Sequence, residues 1–257
     1  MNILILGGTS DARELVEALD KQKLLAKHRV IYSVAGLVRI PKMPCEVISG
    51  GFSRLGGLAN YLKKQFIQLL LDVTHPFAVK MSTTAVQAAK QAGIPCWRLN
   101  RQAWQQQQGD KWTLFADMHS LIDATVKYSS VLLTAGQFSQ QYIDQLASYT
   151  QLNGQKQLLR TAVPAQTELP QSMQWLEAIG PFNHEDERAL LVKHQIDLLI
   201  TKNSGGLAVQ AKLSAARELG VEVFMLQRPP LPPADRVVEN IDDCVQAIQA
   251  LKQINKP

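Results

Sequence analysis

Short apolar runs recur along this chain, and a stretch with helical spacing follows nearly every one. "NILIL" (2–6), "RVIYSV" (29–34), "CEVISG" (45–50), "QLLLDV" (68–73) and "PCWRL" (95–99) read as strands. A helix from Ser10 to about Gln22 places Leu15, Ala18 and Leu19 on one face, and another after Pro76 carries Ala78, Met81, Ala85, Ala88 and Ala92 at three- and four-residue steps. Strands that are apolar at nearly every position are covered on both faces, which is the condition of a parallel sheet between helices. "NRQAWQQQQGD" (100–110) is polar and aperiodic, and reads as a hinge. Strands then resume at "WTLF", "SVLLT" (130–134), "KQLLRT" (156–161), "DLLIT" (197–201) and "VEVFML" (221–226), and a last helix runs from about Ile241 to Ile254. The expected fold is α/β, with two Rossmann-like domains at 1–105 and 106–257.

Composition narrows the class. Over 257 residues, 46% hydrophobic and 19% charged content supports packed cores and argues against disorder. A net charge of +5 suits acidic small molecules, and no Lys/Arg block or aromatic-basic interleaving points to nucleic acid. Cys45, Cys96 and Cys244 are far apart and odd in number, so they make neither a metal spacing nor a disulfide framework. Reduced thiols in the cytoplasm are expected. "MNILILGG" is too soon interrupted for a signal peptide, and no apolar stretch approaches the ~20 residues of a membrane helix. The expected protein is a cytoplasmic monomer or homodimer with no bound metal.

Ligands of such folds sit beyond the carboxyl ends of the strands. At the first end, "GGTSDAR" (7–13) offers Gly7 and Gly8 for close backbone approach and Thr9 or Ser10 as cap of a helix whose N–H groups attract phosphate. The G-x-G-x-x-G fingerprint is not met, because Thr9 and Ala12 hold its later glycine positions, and Asp11 would repel a phosphate. At the second end Ser33 stands where an acidic residue would favour NAD. With Arg39 downstream, that arrangement suits a 2′-phosphate, so NADPH is expected and NADH is the alternative. The third end brings Gly50 and Gly51. At the fourth, "DVTHPFA", Pro76 at a first helical position makes His75 the cap, kept neutral by the helix dipole, with Asp72 and Thr74 fixing its tautomer. At the fifth, Arg98 and Arg101 are donors suited to carboxylates. In the second half, "TKNSGG" supplies Lys202, Asn203, Ser204 and Gly205, and Asn183 reads as a helix cap. Arg228 precedes a stiff proline segment.

"ILGGTSDAREL", "GGF", "DVTHPFA", "GIPCWRLNR", "GPF", "TKNSGG" with "AKLSAARELG", and "RPPLPP" run in this order from residue 4 to residue 233. In them the chain resembles the precorrin-6A reductase family of cobalamin biosynthesis, which includes the cobalt-precorrin-6A reductases; "THPFA" and "TKNSGG" are the specific pieces. The resemblance implies two Rossmann-like domains with an interdomain active-site cleft. It implies hydride transfer from a reduced nicotinamide to a macrocyclic double bond of a polycarboxylate tetrapyrrole, giving the 6B form. It also implies that Gly8, Thr9, Ser10, Ser33, Gly36, Arg39, Gly51 and Thr74 meet the cofactor. His75, Lys202, Asn203 and Ser204 would line the reacting region, and Arg98, Arg101, Gly205 and Arg228 would meet the substrate. The proton donor stays open among His75, Lys202 and a bound water. Two departures stand out: Gln102-Ala103 where the family usually carries a proline, and Gln137 where it often carries a basic residue. A nucleotide-sugar transferase-like enzyme and a non-catalytic, two-lobed anion-binding protein are the competing readings.

Overall fold

In a computed structural model, residues 1–34 and 42–254 are described. The chain passes through β1 (Asn2–Leu6), β2 (Arg29–Val34), β3 (Glu46–Ser49), β4 (Leu69–Asp72) and β5 (Cys96–Leu99). It continues through β6 (Trp112–Phe115), β7 (Ser130–Leu133), β8 (Lys156–Thr161), β9 (Met173–Glu177), β10 (Leu198–Lys202), β11 (Glu222–Leu226) and β12 (Arg236–Val238). The helices are α1 (Ser10–Lys21), α2 (Leu58–Lys64), α3 (Val79–Ala92), α4 (Met118–Asp123), α5 (Gln140–Asn153), α6 (His184–Lys193), α7 (Ala211–Leu219) and α8 (Ile241–Ile254). None of those described is long and apolar enough to cross a membrane.

The strands form two parallel sheets of six, ordered β12-β5-β4-β1-β2-β3 and β6-β11-β10-β7-β8-β9. Both are doubly wound, and strand order reverses between β1 and β4 in the first and between β7 and β10 in the second. The inner strands are buried on both faces: every residue of β4, β5 and β7 is buried. That burial accounts for the largely apolar runs from which the strands were read; the polar exceptions Asp72, Arg98 and Ser130 are buried with them.

The expected division at 105 needs correction at its far end. One compact unit is Met1–Gln102 with the segment from Pro229, and the other is Ala103–Arg228. The reason is apolar burial. β12 pairs with β5 in register, Val237 against Arg98 and Val238 against Leu99. Cys244, Val245, Ala247 and Ile248 of α8 then pack into the same core as Ile3, Leu15, Val16 and Leu71. Truncating Ile248, which is fully buried there, to Ala is expected to cost the first unit about 2–5 kcal/mol, measurable by urea unfolding. β9 and β12 went unread because they are edge strands with mostly exposed residues, so neither carries a full apolar run.

Candidate active site

In the first unit the turns after β1 and β4 meet at the strand reversal. Gly7 has no room for a side chain: a Cβ there would stand 2.4 Å from Cζ of Tyr32. Gly8 adopts φ +101° and has nothing within 4 Å of where its Cβ would be, so its backbone is open on that side. Its N–H donates to the Tyr32 hydroxyl at 2.9 Å. Thr9 is the N-cap of α1; its Oγ1 accepts from the Ala12 N–H at 3.1 Å and donates to the Val73 carbonyl at 2.8 Å. The departures from the glycine fingerprint thus have local causes. Thr9 is needed as a cap, and Ala12 is small and fully buried where α1 crosses the sheet. Gly7→Ala is expected to cost about 1–3 kcal/mol through overpacking against Tyr32, seen as a lower urea midpoint at unchanged slope.

Asp11 does not oppose an anion as expected. It is ion-paired with Arg101, which reaches it from beyond β5. Arg101, expected on a substrate carboxylate, is spent here on removing negative charge from the first turn of α1. Ser10 donates to the same carboxylate group at 3.3 Å. Ser33 is buried, and its carbonyl accepts from Gly7 N–H at 2.8 Å. Gly51 directly precedes a short 3₁₀ turn, Phe52–Leu55. Gly36 and Arg39 lie outside the described residues.

After β4 the structure departs from expectation. α3 starts at Val79, so His75 is not its cap. Residues 75–78 form a turn closed by Ala78 N–H to His75 carbonyl at 2.7 Å, and proline fits the second position of such a turn as well as a first helical position. The helix dipole therefore does not act on His75. Its Nδ1 accepts from Phe77 N–H at 3.2 Å, which places the proton of a neutral ring on Nε2. Thr74 donates to Asp72 at 2.6 Å. Arg98 is also corrected: it is buried, with Nε 3.0 Å from Asp72 and Nη1 2.7 Å from the Pro232 carbonyl, and is not presented to a ligand. Its Nη2 is buried with no hydrogen-bond partner among the described residues.

In the second unit, Asn203 is a clamp. Its Oδ1 accepts from Trp104 N–H at 2.8 Å and its Nδ2 donates to the Trp104 carbonyl at 3.2 Å, so both ends of the amide hold the backbone within the 100–110 segment. Arg228 donates to the carbonyls of Asn203 and Ser204 at 2.8 and 3.0 Å, which fixes this loop. Ser204 is buried and Gly205 adopts φ +70°. Lys202 ends β10, with Nζ 3.8 Å from where a Cβ of Gly136 would stand, and burial lowers its pKa. Asn183 caps α6 as expected, accepting from Asp186 N–H.

A group of buried charges in this unit went unread. Arg160 of β8 and Glu187 of α6 form a bidentate pair at 2.7 and 3.3 Å, and the Arg160 guanidinium lies 4.3 Å from the Phe182 ring centroid. Lys212, the second residue of α7, donates to Thr134 Oγ1 at 3.0 Å. Nothing in the residues around Lys212 signals this, since only the packed structure shows that its side of α7 is buried.

Comparison with known proteins agrees with the architecture. A family model described as "Precorrin-6x reductase CbiJ/CobK" matches residues 2–249. A precorrin-6A reductase of Rhodococcus erythropolis is 39% identical over 248 residues, 96% of this chain and 95% of that protein. One of Mycobacterium tuberculosis is 33% identical, covering 93% of each. The solved structure titled "CobK precorrin-6A reductase" superposes with a TM-score of 0.84 at 29% identity, over 97% of this chain and 96% of that one.

Proposed function

The chain belongs to the precorrin-6x reductase family, and from that premise we propose that it reduces precorrin-6A with NADPH as hydride donor. It is an oxidoreductase of cobalamin biosynthesis of the precorrin-6A reductase type. Family membership sets aside the sugar-transferase and non-catalytic readings. A nicotinamide cofactor fits the first unit, and one observation supports this most: the open Gly8 backbone and the start of α1 lie together at the strand reversal, with Asp11 neutralised by Arg101. When bound, the nicotinamide supplies the hydride. Gly8 and Ser10 are assigned to its phosphates, with Thr9 shaping the turn, and Ser33, Gly36 and Arg39 to the ribose end. His75 and Lys202 are the candidates for the proton that completes the reduction. The reading places the enzyme in the cytoplasm.

Anaerobic mixing of the protein, NADPH and precorrin-6A or its cobalt form should consume one of the two substrates with loss of nicotinamide absorbance. No consumption with either, or with NADH, ends the proposal. Arg39→Ala should weaken NADPH about tenfold and leave NADH unchanged, as loss of one charge-assisted contact to a 2′-phosphate predicts. Equal weakening of both nucleotides removes the 2′-phosphate assignment. His75→Ala should lower kcat and leave the KM for NADPH unchanged; unaltered kcat leaves Lys202 as the candidate.

A further inference from the structure

We propose that the second unit carries an anion site at its own strand reversal, where the Lys212 ammonium and the Trp104 indole N–H take one carboxylate group. Lys212 is 4% exposed and Trp104 8%, and the Lys212 Nζ lies 5.8 Å from the centroid of the Trp104 ring. An ammonium has three hydrogens to donate. The one hydrogen-bond acceptor found for Lys212 among the described residues is Thr134 Oγ1, whose own proton goes to the Ile200 carbonyl at 2.8 Å. Trp104 Nε1 is buried with no hydrogen-bond partner among the described residues. The nearby carboxylate of Glu187 is engaged by Arg160 through both of its oxygens, and it makes no hydrogen bond to Lys212 among the described residues. The Lys212 ammonium thus stands over the indole ring with hydrogens left after Thr134, and the same indole carries a buried N–H with no acceptor among the described residues.

The charge count points the same way. The charged groups that act on Lys212 are Arg160 from β8 and Glu187 from α6; on α7 itself, Arg217 is paired with Asp110. Positive charge exceeds negative at this turn. A carboxylate brings two acceptors in one plane and one negative charge, which matches two donors and the excess. That the carboxylate belongs to the tetrapyrrole substrate rests on the reductase reading; the site itself does not.

One consequence separates a binding site from a buried structural lysine. Burial lowers the Lys212 pKa from its ordinary 10.5 to about 7; Arg160 pushes it the same way and Glu187 opposes. A bound anion favours the ammonium, so binding above pH 7 must take up a proton. Isothermal titration of the full chain with uroporphyrin, a tetrapyrrole polycarboxylate, and with inorganic phosphate, in buffers of different ionisation heat, reads this directly. Uroporphyrin is expected to bind with proton uptake at pH 8, with affinity falling about tenfold per pH unit above the pKa. Lys212→Met should abolish the uptake and weaken binding at least tenfold. Lys212→Arg should keep the affinity and lose the pH dependence, and carries the test if the Met variant fails to fold. Equal affinity in wild type and Lys212→Met, or no proton uptake, overturns the site. Phosphate binding through Lys212 with no uroporphyrin binding overturns the carboxylate assignment. Uroporphyrin binding through Lys212 by a protein that never oxidises NADPH with precorrin-6A sinks the functional reading and leaves the site standing.

Discussion

Asp72→Asn is expected to destabilise the first unit by about 3–5 kcal/mol, the usual cost of leaving a buried charge without its partner. Asp72 and Arg98 are 1% and 5% exposed, joined at 3.0 Å, and they are in-register neighbours on β4 and β5. Asparagine keeps the shape and the oxygen that accepts from Thr74, so the loss reports the charge. Arg98 would keep its bond to the Pro232 carbonyl, with Nη2 already lacking a partner among the described residues. Removing both charges, as Asp72→Leu with Arg98→Met, should recover most of the loss, since apolar pairs of similar volume often replace buried ion pairs without cost. Hydrogen exchange of the β4 and β5 amides reads this unit by itself. A loss below about 1 kcal/mol would place the pair among ion pairs that solvent screens.

The second large effect concerns Lys212 and pH. With a folded pKa of about 7 against 10.5 for the ordinary group, the folded state binds the proton less tightly than the unfolded chain. Below pH 7 both states are protonated, and the penalty for burying the charge is fully present. As pH rises from 7 toward 10.5 the folded state has released a proton that the unfolded chain retains, so stability increases. At about 1.4 kcal/mol per pKa unit, the whole span is worth about 5 kcal/mol, and about 2 of it falls between pH 7 and 9. Lys212→Met should flatten this rise and be more stable than wild type at pH 6. Denaturant midpoints for both proteins between pH 6 and 9 decide it; parallel curves would mean that the amine stays charged when folded.

What could be read in the sequence follows a physical line. The inner strands announce themselves because both faces of a parallel sheet must be apolar, and Asn183 and Thr9 do so because caps act within three residues. Partners far apart in sequence do not. Arg98, Arg101 and Arg228 were read by residue type as donors for substrate, yet Asp72, Asp11 and two loop carbonyls hold them. One clue was available for the first: a single Asp in "LLLD" and a single Arg in "CWRL", both otherwise apolar, pair when the strands lie side by side. His75 was misplaced because Pro76 suits a turn and a helix start equally. Lys212 looked like any helix cation, since nothing local shows that its face of α7 is buried.

The strand orders carry a consequence for synthesis. β6 to β11 lie within one uninterrupted stretch, whereas the first sheet needs β12, whose backbone meets β5 only after more than half the chain has intervened. Closing so long a loop is slow. On the ribosome, the half translated second can finish before the half translated first, and the edge of β5 stays bare until the last residues emerge.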